Sequence, residues 1–290
     1  MVVLDERWSP VQAITSHRVQ FGELAGPLVH GATVFDWQLI ATQQVAAAVE
    51  YSFRNILDDD GIPFAPVAVS TSVERYPTIE DRVDVEVVPL GVGNSSVELL
   101  YQMTDAEGDP LASARMVHVT IGPDGNALPL PDRVHAEFTN RLVDRDPTVG
   151  PETASADGGT YPRFESSVPI RSPHIEGAEL AYFEEYPRFA GIALEEFLNE
   201  RGTSLKKLSG EKQPFRLRDW RWEHKAPVPF ESTLRVECNV IGIEHESVRI
   251  EHTLLADGRV GIEGVTEYGC FDRSGAAVPF DDRMLTPFDT

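Results

Sequence analysis

Leu90-Gly91-Val92 followed by Ser96-Val97 returns 151 residues later as Ile241-Gly242-Ile243 followed by Ser247-Val248. Past the next turn the offset is 150. Glu107-Gly108 then matches Asp257-Gly258, Gly125 matches Gly275, Pro129 matches Pro279, and Asp132-Arg133 matches Asp282-Arg283. The one-residue change falls between Met103 and Gly108, where a hairpin turn is expected and an insertion costs little. An ordered series of this length marks a duplication, so the 290-residue chain is expected to hold two copies of one unit.

Around the matched stretches, each copy follows the same plan. A short extended run comes first, at 14–22 and again at 164–171. A helical stretch follows: 33–56 carries Val34, Trp37, Ile40 and Ala41 at helical spacing, and 182–200 carries Phe189, Ile192, Ala193 and Phe197. Pro187 suits the first turns of the second helix, where the missing N–H does no harm. Four strand-like runs then close each copy, at 65–75, 83–89, 95–104 and 111–121, and at 215–223, 233–241, 246–255 and 261–271. The alternation in Val83-Asp84-Val85-Glu86-Val87 is that of a half-buried strand. These runs divide the chain into a first unit at 1–135, a polar, glycine-bearing linker at 136–162, and a second unit at 163–290.

The fold class expected is therefore α+β: in each unit an antiparallel sheet wraps a long helix. One unit alone leaves a sheet with open edges, so the two are expected to pack as a pseudo-dimer.

Composition narrows the function. A formal charge of −22 excludes a nucleic-acid partner, because phosphates would be repelled over most of the surface. No run of apolar residues is long enough for a transmembrane helix, and the first ten residues lack the pattern of a signal peptide, so the expected location is cytoplasmic, with no membrane partner. Cys238 and Cys270 fall in separate strand-like runs without metal-ligand spacing, so reduced buried thiols and no metal are expected. An acidic chain with 4 Lys against 21 Arg also fits solubility in concentrated salt.

At residues 73–133 the chain resembles the hot-dog thioesterases, particularly the branch of 4-hydroxybenzoyl-CoA thioesterase. The resemblance rests on Arg75-Tyr76-Pro77, Asp81-Arg82-Val83, Leu90-Gly91, Ser95-Ser96-Val97-Glu98-Leu99, Ala106-Glu107-Gly108 and Pro129-Leu130-Pro131. Ala226-Pro227, Gly242 and Asp257-Gly258 follow it more loosely in the second copy. The resemblance implies a ligand that is an acyl thioester of CoA or of acyl carrier protein, and no further cofactor. Its pantetheine arm would thread between two hot-dog units, and a carboxylate would hydrolyse it against backbone N–H groups at a helix N-terminus. Association of such pairs into homo-oligomers is also implied.

The family's Phe-Gly-Asp-x-Asp pattern meets Phe21-Gly22-Glu23-Leu24-Ala25, with Glu23 on the first acidic position and Ala25 on the second. In the second copy, Ser172-Pro173-His174-Ile175-Glu176-Gly177 places His174 where the second carboxylate is expected, with Glu176 beside it. His30-Gly31 enters the first helix, so His30 and the N–H groups after Gly31 could meet a carbonyl, with Asp36 two turns further in. The candidate catalytic residues are thus Glu23, His30, Asp36, His174 and Glu176, with Glu184 a further acid near the second helix start. A plainer account makes His30 a helix cap, Asp36 a solvated face and Glu23 a loop charge. All four lysines, Lys206, Lys207, Lys212 and Lys225, lie within 20 residues. Lys206 and Lys207, with Arg216 and Arg218 on one strand face, could hold CoA phosphates or an acidic carrier, or simply balance a helix dipole. Trp220 and Trp222 share a strand face and are expected in the core. Hydration of acyl thioesters by His30 with Asp36, or acyl binding without turnover, are the alternatives to hydrolysis.

Overall fold

A computed structural model describes residues 11–145, 147–151 and 159–289. The polar stretch 152–158 of the expected linker lies outside the described residues.

In chain order the first half contains β1 (Val11–Arg18), the two-residue strands β2 (Leu24–Ala25) and β3 (Leu28–Val29), α1 (Gly31–Ala48) and α2 (Phe53–Asp58). Then come β4 (Ile62–Val73), β5 (Arg82–Val92), β6 (Ser96–Thr104), β7 (Pro110–Ile121) and α3 (Asp132–Thr139). The second half runs β8 (Arg163–Pro169), α4 (Glu185–Glu200), α5 (Leu205–Leu208), β9 (Lys212–His224), β10 (Thr233–Ile243), β11 (Val248–Ala256) and β12 (Arg259–Asp272). The main sheet is ordered β1-β5-β6-β7-β4-β9-β12-β11-β10-β8 and every pairing is antiparallel. Each half therefore contributes five strands in the same internal order, joined at β4 and β9. This is a tandem pair of hot-dog units packed as a pseudo-dimer.

The seam between the halves obeys a two-fold relation. Ala68 faces Glu223 at one end of the β4–β9 ladder and Ser72 faces Asp219 at the other, so the same surface meets itself, as an isologous interface requires. One hydrophobic core runs through both halves. Tyr76, fully buried, crosses the seam to donate its hydroxyl to the carbonyl of Leu217 at 2.5 Å, and its ring meets Phe271 edge-on at 4.8 Å. Such an aromatic pair contributes about 0.5–1.5 kcal/mol beyond burial. Trp220 and Trp222 are both buried, Trp222 donating to Thr266 at 3.0 Å. Cys238 and Cys270 are free, buried thiols. The chain leaving α3 lies on the sheet: Val149 packs on Val88 and Leu100, and Gly150 N–H donates to Ser72 Oγ at 2.9 Å.

Two expectations need correction. The helix expected at 33–56 ends at Ala48, because Glu50 adopts a left-handed φ of 56° and Ser52 caps the separate α2. Ile40 and Ile192, expected on buried faces, are 37% and 41% exposed, so each helix buries a narrower stripe than its apolar residues suggest. Among the described residues, no helix is long and apolar enough to cross a membrane.

Candidate functional site

The backbone aligns the two helix entrances residue by residue. Glu23 and His174 each end a short 3-10 turn, and their side chains accept the N–H of Gln20 and Arg171 respectively. The Glu23 carbonyl accepts from His30 N–H and the His174 carbonyl from Tyr182 N–H. Val29 N–H reaches Pro77 just as Ala181 N–H reaches Val228. His174 is thus the counterpart of Glu23, and Glu176 is the counterpart of Ala25. The register read from the sequence, with His174 at the second acidic position, is off by two residues, and that position in the second half is occupied by a carboxylate. By the same correspondence Tyr182 matches His30, Phe183 matches Gly31, Arg188 matches Asp36, and Glu195 matches Gln43.

Two clefts of similar size lie across this pseudo-two-fold. The first, of about 450 Å³, opens at the N-terminus of α1 between His30, Gly31 and residues of α4. The second, of about 470 Å³, opens near the N-terminus of α4 between Tyr182, Phe183 and residues of α1. Their chemistry differs.

In the first cleft, His30 is the N-cap of α1, its Nδ1 accepting from Ala32 N–H at 3.0 Å. That acceptor role fixes the ring as the neutral Nε2–H form. Burial, then the nearby cations Arg188 and Arg216, lower its pKa to about 4. The N–H of Gly31 is left without a partner among the described residues, in a buried residue at the positive end of an 18-residue helix. Glycine fits there without displacing its neighbours: a Cβ would stand 2.7 Å from Leu217 Cδ1 and 2.9 Å from the Tyr76 hydroxyl. Glu195 on α4 is exposed at the mouth of the same cleft, where desolvation by the cleft wall raises its carboxyl above the ordinary 4.5. Lys206 and Arg216 line it as well, Arg216 donating to the Ala25 carbonyl across the seam.

The other predicted residues stand elsewhere. Glu23 is saturated, accepting from His17 at 2.9 Å, Gln20 N–H at 2.6 Å and Trp37 Nε1 at 3.2 Å, so it braces the entrance to α1. Asp36 does not line the cleft of His30; its Oδ1 accepts from the Tyr182 hydroxyl at 2.6 Å, and burial raises its pKa against that bond. His174 packs edge-on to Phe189. Glu176 lines the second cleft, accepting from Ala178 N–H at 2.9 Å, with its pKa raised by burial. Lys207 bonds the Gly202 carbonyl, and Arg218 bonds the Glu246 carbonyl and lies 3.6 and 3.7 Å from Asp219 and Glu267. Neither Lys207 nor Arg218 lines the first cleft. The structure therefore gathers His30, Gly31, Lys206 and Arg216, and adds Glu195, which sequence reasoning missed. Its one sequence signal is its helical position opposite the repeat partner Gln43, legible only once the register is known.

At the α4 entrance, Phe183 covers the place of Gly31, and the acids Glu184 and Glu185 occupy the first turn, Glu184 paired with Arg188. An incoming anionic oxygen is disfavoured there. Among the described residues no group of His, Cys, Asp and Glu could hold a metal ion.

No protein-family model matches the chain, and none of the curated proteins does. Solved structures do. A protein of Lactobacillus plantarum assigned as an oleoyl thioesterase is similar at a TM-score of 0.69 and 14% identity, over 89% of this chain and 97% of that one. The 12:0-ACP thioesterase from Umbellularia californica gives 0.66 and 16% identity, over 87% and 92%. An acyl-ACP thioesterase from Bacteroides thetaiotaomicron gives 0.64 and 12%, over 87% and 95%. At these identities the likeness establishes a class of fold, the tandem double hot-dog, over nearly the whole chain.

Proposed function

We propose that the protein is an acyl thioester hydrolase working in the cleft at the N-terminus of α1. The observation that carries this reading is the unpaired, buried Gly31 N–H, opening on a cleft that also holds Glu195. A thioester carbonyl gains negative charge on oxygen as it is attacked. The Gly31 N–H, the α1 dipole and the neutral Nε2–H of His30 supply fixed donors for that charge. Glu195 takes a proton from water, the resulting hydroxide bonds to the carbonyl carbon, and the carbon–sulfur bond breaks. The thiolate leaves as thiol with the proton returned by Glu195.

The substrate would be an acyl-CoA or an acyl carrier protein thioester, its pantetheine arm running through the seam. Lys206, a cation in a strongly acidic chain, suits the phosphate end. The thioesterase names of the three similar double hot-dog proteins support the same reaction class.

The test is release of free thiol from a panel of acyl-CoAs. Glu195→Gln should lower kcat about 10²–10⁴-fold with little change in KM. Because desolvation at the cleft wall raises the Glu195 carboxyl, the acid limb of the pH–rate profile should lie above 4.5 and vanish in the variant. A Glu195→Gln protein that is folded and turns over at the parent rate would remove this assignment.

A further inference from the structure

A second cavity is larger than the proposed hydrolytic cleft. It measures about 730 Å³ and lies beside the α4 entrance, merging with the second cleft around Phe183, Leu57 and Pro66. The two-fold explains why it is open. On the opposite side the equivalent space is filled by Tyr76, Phe271 and Arg216; here the counterparts are the smaller Pro227, Ile121 and Ala65. The hairpin turn at Gly275 presses on Tyr76, its virtual Cβ only 1.9 Å from the Tyr76 carbonyl oxygen. The counterpart turn at Gly125 has nothing within 4 Å.

His224 lines this cavity, at a position held by the buried Val73 in the first half. Its Nδ1 donates to the Pro66 carbonyl at 2.5 Å, which leaves Nε2 as an acceptor. That Nε2 is buried and has no hydrogen-bond partner. Burial lowers the ring's pKa to about 4, so the acceptor persists at neutral pH. A buried acceptor without a donor is costly, so on a ring that lines a cavity it favours an occupant that brings a donor. The rings of Phe183 and Tyr186 stand 5.1 and 5.7 Å from the imidazole, so the donor must arrive on an apolar body. At the lining, Lys225 is engaged by Glu263, whereas Arg259 makes no ion pair among the described residues. Asp60 and Glu179 line the cavity too and temper that charge.

We propose that this cavity is a second, non-hydrolytic ligand site, selective for an acyl chain that bears a hydroxyl group. The hydroxyl donates to His224 Nε2, the chain lies against Phe183, Pro66 and Ile121, and a terminal carboxylate faces Arg259. Phe183 lines this site where Gly31 lines the cleft of α1, and in the adjoining second cleft Gln43 stands where Glu195 would be. The site binds and does not turn over.

Calorimetric titration of the full chain with dodecanoic acid and with its mid-chain hydroxy derivative tests the idea without reference to hydrolysis. The hydroxy acid should bind about tenfold more tightly to the parent protein. His224→Val, which installs the residue of the first half, should abolish that preference while leaving the affinity for dodecanoic acid within about twofold. Pro227→Tyr, which fills the space as Tyr76 does on the other side, should weaken both acids at least tenfold and so locates the binding. Equal affinity of the two acids for the parent, a preference that survives His224→Val, unchanged binding to Pro227→Tyr, or no binding at all would each overturn the proposal. The thioesterase reading stands or falls separately, on thiol release.

Discussion

The hydroxyl of Tyr182 bonds to the carboxylate of Asp36 at 2.6 Å, tying the entrance of one long helix to the body of the other. Under the two-fold, the matching pair is His30 with Arg188. The first is a hydrogen bond between a donor and a half-buried acid. The second sets a buried imidazole near a guanidinium, and burial first, then that charge, keep it neutral. One symmetric position thus yields an adhesive contact on one side and a tuned, uncharged donor on the other.

Tyr182→Phe should destabilise the protein by about 1–3 kcal/mol at neutral pH, because Asp36 loses its partner while remaining half-buried. The pH dependence has a definite sign. Burial raises the Asp36 pKa above its ordinary 3.8, so the folded state holds this proton more tightly than the unfolded chain. Its contribution to stability is fullest below 3.8 and is lost as pH rises through the raised value. The Tyr182 bond opposes that rise, so the variant should lose more stability at pH 8 than near pH 4. Urea unfolding at the two pH values checks this; an equal loss at both would show that the carboxylate is not the group exposed to the penalty.

Acid should unfold the protein through its histidines. His30, His118 and His224 are lowered to about 4 and His252 to about 3, chiefly by burial, against an unfolded value of 6.5. A lowered pKa in the folded state means stability that is complete above 6.5 and lost as pH falls toward 4. His30→Asn keeps a competent helix cap and removes one titrating group. Melting temperature should then fall less steeply between pH 6.5 and 4 than in the parent. An unchanged slope would mean that His30 is solvated in the folded protein.

The duplication and the succession of strands along the chain were legible because hydrophobic alternation and turn glycines act locally. Gly108 and Gly258, at φ of 87° and 79°, mark the same hairpin in both halves. The α1 break was not legible: Val49 and Tyr51 continue an apolar pattern that only the left-handed Glu50 interrupts. The site was half legible. His30 and Gly31 announce themselves as a helix entrance, and Lys206 and Arg216 as part of a basic cluster. Lys207 and Arg218 belong to the same cluster, yet bind neighbouring carbonyls and acids, because which side of a short helix or bulged strand meets the cleft is decided by packing. Glu195 lies in an acidic helix surface that resembles ordinary solvated charge until the opposite half is set against it.

That difference separates the basic residues experimentally. Lys206 lines the cleft of α1, whereas Lys207 is held on Gly202 at 3.2 Å. Lys206→Glu should raise the half-saturating concentration of an acyl-CoA several-fold with kcat nearly unchanged, since the loss is in binding away from the reacting carbonyl. The effect should shrink in high salt as the phosphate attraction is screened. Lys207→Glu should leave both constants within about twofold of the parent. Steady-state thiol release by the two variants decides it; equal effects would place the phosphates outside this cleft.

Gly31→Ala is the sharpest probe of the reacting end. The added methyl would meet Leu217 Cδ1 at 2.7 Å and the Tyr76 hydroxyl at 2.9 Å, so the first turn of α1 must shift or Tyr76 must release the Leu217 carbonyl. Either movement displaces the Gly31 N–H from the position where a tetrahedral oxygen would sit. Loss of one well-placed oxyanion donor costs about 10²–10³ in kcat. Stability should drop as well, by about 1–3 kcal/mol for an overpacked contact, so the assay belongs well below the melting transition. Leu217→Val in the same background removes the blocking Cδ1 and should recover part of both losses. If Gly31→Ala is folded and hydrolyses acyl-CoA at the parent rate, the N-terminus of α1 does not hold the oxyanion, and the chemistry must lie in the other cleft.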